Sequence, residues 1–148
     1  MEQLRLTKTG SIKSLFLNMD EQFQQIQINF LKHITRWQEI ASDLGNEFEV
    51  VSENPPYGKG TVFGKKYTVK MSLTVPNLKS AECLGCIRVL AAHAVTGEPM
   101  EVETYLMTQG LNFFSKNTMT PILMDGSART EYQVICESIY AVAESPDT

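Results

Sequence analysis

Cys83-Leu84-Gly85-Cys86 is the short motif in this chain that has known chemistry attached to it. A redox dithiol needs its first cysteine at a helix N-terminus, where the dipole lowers the thiol pKa, but the run after Cys86 is rich in strand formers. A zinc site is the other option, since Gly85 would permit the turn of a knuckle and His93 and Cys136 would complete a tetrahedral set. Seven residues of extended chain place His93 roughly 23 Å from Cys86, too far to share an ion with it. The expectation is therefore that no metal or other cofactor is held and that Cys83 and Cys86 are core thiols, with this pair as the alternative metal ligands.

The two histidines, His33 and His93, have no neighbouring Asp, Ser or Cys that would suggest a triad. His33 lies beside Phe30 and Trp37, where a packed histidine is the plain expectation. Glu98, Glu101 and Glu103 cluster, and paired acids can act as acid and base, but a solvated turn explains them as well. No catalytic residue is assigned. The stretch from Tyr57 to Lys66 mixes glycine, lysine and aromatics, and Lys59, Lys65 and Lys66 are candidate anion-binding residues. It lacks the GxxxxGK[ST] order of a P-loop. With Lys70 added, these lysines are also the candidates for nucleic-acid contact.

The overall charge limits that last idea. A net charge of −4 argues against a strongly basic nucleic-acid binder. Residues 1–80 hold ten Lys or Arg against eight acids and residues 81–148 hold three against nine, so the later half should be acidic. No apolar run has the length of a membrane span and Met1 to Lys13 lacks a signal-peptide core, so the expected location is the cytoplasm. Three cysteines without a disulfide-framework spacing agree with that.

The element that must carry most of the packing is Asn18–Leu44. Met19, Phe23, Ile26, Phe30, Ile34, Trp37, Ile40, Ala41 and Leu44 recur at helical spacing. Asn18 or Asp20 is the expected N-cap, with Ile12, Leu15 and Phe16 either starting the helix earlier or forming a separate turn into it; Gly45 and Asn46 mark the end, and the length would be roughly 40 Å. Ile28 and Leu31 interrupt its polar face, and together with Trp37 they are the candidate partner-binding residues. Beyond it, Phe48–Ser52 reads as a short strand and Phe63–Val75 alternates, with Phe63, Tyr67, Val69, Met71, Leu73 and Val75 on one side.

Cys86–Val95 is apolar on both faces apart from Arg88 and His93 and makes a hairpin with Met100–Thr108, whose acidic side, Glu101, Glu103 and Tyr105, is assigned to solvent. The pattern from Gln109 to Ser127 is poor. Tyr132, Ile135, Cys136, Ile139, Tyr140 and Ala143 fit a final helix that leaves Glu131 outside, although β-branched residues make a strand an alternative.

The expected architecture is one α+β domain over residues 1–148, with residues 1–11 as an arm and 145–148 as a tail. A long N-terminal helix packs on an antiparallel sheet of about four to five strands, followed by a C-terminal helix or strand. The expected function is that of a non-enzymatic protein-interaction or regulatory protein, working as a homodimer. The alternative is a small-molecule-binding or enzyme domain with an apolar pocket between sheet and helix, lined by Tyr67, Met71, Tyr105, Phe113 and Phe114.

Overall fold

The computed structural model describes residues 9–77, 82–93, 95–115 and 128–145. Most of the expected arm, the last three residues of the tail and residues 116–127 lie outside these. No glycine or proline occurs between Ser11 and Asp43, so nothing in that run interrupts a helix once it has formed. Helix α1 accordingly runs Thr9–Asp43, 35 residues and roughly 52 Å. It begins nine residues before the expected start, and Asn18 and Asp20 lie within it rather than capping it. Its end is where the sequence placed it. Gly45 takes a φ of 79°, its N–H donates to Ser42 O and the N–H of Asn46 reaches back to Ala41 O at 2.8 Å, which is a Schellman closure.

Six strands follow as an antiparallel meander: β1 (Glu47–Val51), β2 (Tyr57–Val62), β3 (Lys65–Asn77), β4 (Glu82–Ala92), β5 (Pro99–Met107) and β6 (Phe113–Ser115). Helix α2 (Ala128–Glu144) completes the chain. The α+β class and the helix-on-sheet layering are as expected, with six strands where four to five were counted. The extra strands are β2, which the glycines disguised, and the very short β6. Gly58 and Gly60 belong to β2 for a packing reason: a Cβ on Gly58 would lie 2.1 Å from Phe48 Cζ, and one on Gly60 would press on Phe48 and Tyr67. The space they leave admits the Phe48 ring, which stacks on Trp37 at 5.5 Å.

Both helices cover the same face of the sheet. From α1, Ile26, Phe30, Ile34, Trp37 and Ala41 are fully buried, and from α2 so are Ile135 and Val142. They close on the inward residues Tyr67, Val69 and Met71 of β3 and Cys83, Ile87, Val89 and Ala91 of β4 in one core. Each large apolar side chain enclosed this way contributes about 1.5–3 kcal/mol. Gly85, on the same face of β4, lets α1 approach, since a Cβ there would be 2.8 Å from Met71 Sδ and 3.0 Å from Ile26.

Three local expectations are corrected. Phe63 is not a core residue of the alternating strand; it forms the β2–β3 turn with Gly64, both at positive φ, and is 85% exposed. The sides of β5 are exchanged over its later half, because Val89 pairs with Glu103 and Leu90 with Glu101, which leaves Val102 as a bulge. Tyr105 and Met107 therefore face the helices. The C-terminal segment is a helix, rotated from the expected face: Val134, Ile135, Ser138, Ile139 and Val142 are inside, Tyr132 and Tyr140 outside. Glu131, expected outside, is buried with the first set.

Candidate functional site

Polar groups with the composition of a catalytic site do meet in the core, at the junction of α1, β5 and α2. His33 Nδ1 lies 2.6 Å from Glu131 Oε2 and its Nε2 lies 2.7 Å from the Tyr105 hydroxyl. Arg36 Nε donates to the second Glu131 oxygen at 2.8 Å. A carboxylate only accepts, so His33 donates through Nδ1–H. Complete burial, with the charges of Glu131 and Glu103 nearby, holds the Tyr105 hydroxyl protonated far above its ordinary range, and it donates to Nε2.

Every strong group in this chain of bonds is thereby used, and His33 has no exposed surface through which a substrate could reach it. The arrangement does structural work. It ties the two helices to the sheet across 98 residues of sequence, and each member satisfies a buried partner that would otherwise be costly. The sequence contained a faint signal for Glu131, which stands three and four residues before Val134 and Ile135 on the helical face that is in fact buried.

The residues named for an apolar pocket are accounted for by packing. Tyr67, Met71, Tyr105 and Phe113 are buried in the helix–sheet core. Tyr67 accepts a hydrogen bond from Trp37 Nε1 at 3.0 Å, and burial raises its pKa to about 12. Phe114 is on the other face of the sheet, where it packs on Leu84, Cys86 and Leu106. Cys83 and Cys86 point to opposite faces of β4, Cys83 into the helix-side core and Cys86 into this second cluster. Such a pair cannot share one tetrahedral ion. Burial also raises the pKa of the Cys83 thiol. Among the described residues, no group of three or more His, Cys, Asp or Glu is placed to hold a metal. His93 serves the β4–β5 turn, where its Nδ1 accepts from the N–H groups of Val95 and Thr96.

The candidate partner-binding residues separate. Trp37 is enclosed in the core, whereas Ile28 is 50% and Leu31 39% exposed. Leu17, 58% exposed, joins them. It lies eleven residues before Ile28, close to three full turns, and Leu31 lies three residues beyond, so the three share the face turned away from the sheet. Leu17 lies one residue before Asn18, where the sequence predicts the helix to begin.

The candidate anion-binding lysines separate as well. Lys65 points to the helix side, where its Nζ donates to the Ala143 and Ser145 carbonyls and caps the end of α2. Lys59, Lys66 and Lys70 lie on the opposite, outer face and, with Glu47 and Glu49 of β1 and Gln38 and Ser42 of α1, line an open cleft of about 950 Å³.

No protein-family model, curated protein or solved structure matches the chain. Among the described residues, no helix is long and apolar enough to cross a membrane.

Proposed function

We propose that this chain is a non-enzymatic cytoplasmic protein that works by binding another protein through the outward face of α1, with a second copy of itself as the first partner. The observation that carries the reading is the stripe of Leu17, Ile28 and Leu31, three apolar side chains left in solvent on the back of a helix whose other face is packed from Met19 to Ala41. An apolar stripe at this spacing is the seam by which one helix packs on another. It is also self-complementary: a two-fold axis beside Gln24, midway between Leu17 and Leu31, sets Leu17 of each copy against Leu31 of the other. The buried His33–Glu131–Tyr105 chain supports the non-enzymatic part of the reading, since its donors and acceptors are spent on one another.

Sedimentation velocity across the micromolar range tests the proposal. The wild-type chain is expected to form a concentration-dependent dimer, and Ile28→Glu with Leu31→Glu to be monomeric with an unchanged far-UV spectrum. A wild-type chain that stays monomeric throughout would remove the homodimer, and a dimer that survives both substitutions would move the interface elsewhere.

A further inference from the structure

The outer face of the sheet gathers like charges on adjoining strands. Lys66 and Lys70 stand two residues either side of Thr68 on β3, and Lys59 of β2 is the direct cross-strand partner of Thr68. On the next strand Arg88 is the direct partner of Lys70. Opposed like charges in a sheet are destabilising, an effect that Glu101 beside Arg88 and the Tyr57 ring under the Lys70 ammonium, 5.9 Å from its centroid, offset only in part. The same face carries Glu47, Glu49 and Glu101. Glu49 lies 3.6 Å from Lys59 and Glu101 3.6 Å from Arg88, which leaves Lys66 and Lys70 without a carboxylate partner among the described residues.

The spacing suits a ligand with several negative charges rather than one. Lys66 and Lys70 are about 13 Å apart along the strand, and Lys59 lies diagonally about 7–8 Å from each. Their flexible stems can bring three ammonium groups onto one extended anion, with the Thr68 hydroxyl beneath them. The cleft they line has room for such a molecule, and Leu90 and Pro99 supply apolar wall beside the charges. Glu47 and Glu49 also line the cleft, so its positive charge is concentrated at Lys66 and Lys70, where it attracts counter-charge even on a chain whose net charge is negative.

We propose that this outer-face cleft binds a small polyphosphate-bearing molecule, held by Lys59, Lys66 and Lys70. The cleft also takes in Gln38 and Ser42 near the end of α1, but none of Leu17, Ile28 and Leu31 lines it.

Calorimetric titration of the full chain with inorganic tripolyphosphate at low salt is the test. Saturable binding that weakens steeply with added NaCl is expected. Replacing Lys66 and Lys70 together by Gln should weaken it at least about tenfold, since each charge-assisted contact is worth that much. The same substitutions relieve the repulsion with Arg88, so the melting temperature should stay level or rise, which separates lost binding from lost folding. Lys32→Gln on exposed α1 should leave binding intact, as should the Ile28→Glu, Leu31→Glu variant. Absence of binding at millimolar tripolyphosphate, or an equal loss in Lys32→Gln, would overturn the proposal. Tighter binding of an oligothymidylate than of tripolyphosphate would overturn it in favour of a nucleic-acid groove.

Discussion

The two faces of strands β3 and β4 are built from alternating residues of the same few segments, yet they differ in how far their groups are matched. On the inner face Tyr67, Met71, Ile87 and Val89 are enclosed by the two helices, and His33, Glu131, Tyr105 and Arg36 satisfy one another. On the outer face Lys70 is set against Arg88, and Lys66 has no opposing carboxylate among the described residues. The inner face carries the larger core. The outer face divides along its length, with Leu84, Cys86, Leu106 and Phe114 packed together towards one end and the cations gathered towards the other.

The sharpest way to break this contrast is to disturb the inner polar chain. Glu131→Ala leaves His33 buried with an unmatched donor and should cost about 3 kcal/mol of unfolding free energy in urea titrations. Tyr140→Ala, on the exposed side of the same helix, should change it by less than about 0.5 kcal/mol. Equal effects would mean that the chain of hydrogen bonds is not what fastens α2.

A smaller effect of opposite sign is expected at the rim. Phe63 holds a left-handed conformation at φ 51° with 85% of its surface in solvent, so the fold bears the strain without recovering packing. Phe63→Asn should raise stability by about 1 kcal/mol, read as a higher melting temperature, because asparagine enters that conformation cheaply. A fall instead would show that the ring has a packing role.

The smallest effect tests a carboxylate at the boundary between the helices and β5. Burial first, and then the charge of Glu137, raise the Glu103 pKa above its ordinary value. The folded chain thus holds this proton more tightly than the unfolded one. Its favourable contribution is complete below the unfolded-state pKa and is lost as pH rises through the raised folded-state value. Glu103→Gln should therefore be more stable than wild type at pH 7 by a few tenths of a kcal/mol, with solvent screening keeping the gap small. The two melting temperatures should converge below about pH 4.

How much of this could be read from the residues varies with the range of the interaction. The C-terminal end of α1 was legible because Gly45 and Asn46 act on the four residues before them. The inward set of β3 was legible because a period of two is a local property. Glycine in β2 misled for a non-local reason, as Gly58 and Gly60 make room for Phe48 and its neighbours in the core. The side of β5 that faces the helices was missed because a single bulge at Val102 reverses alternation without leaving a mark in composition.

The site candidates divide in the same way. Ile28 and Leu31 stood out because an apolar residue on a polar helical face is visible in any one turn. The role of Lys65 as a cap for α2, the division of Cys83 and Cys86 between two faces and the opposition of Lys70 to Arg88 were settled by strand pairing and by how the layers stack.

By itself, then, the sequence determined the helix–sheet class and the long helix with its closing turn, since each rests on periodicity and local backbone chemistry within a few residues. Only the tertiary structure decided that Glu131 meets His33 across 98 positions and that four cations share one outer face. Those facts depend on register and on the rotation of α2, which are set by the best joint packing of distant segments and not by any one of them.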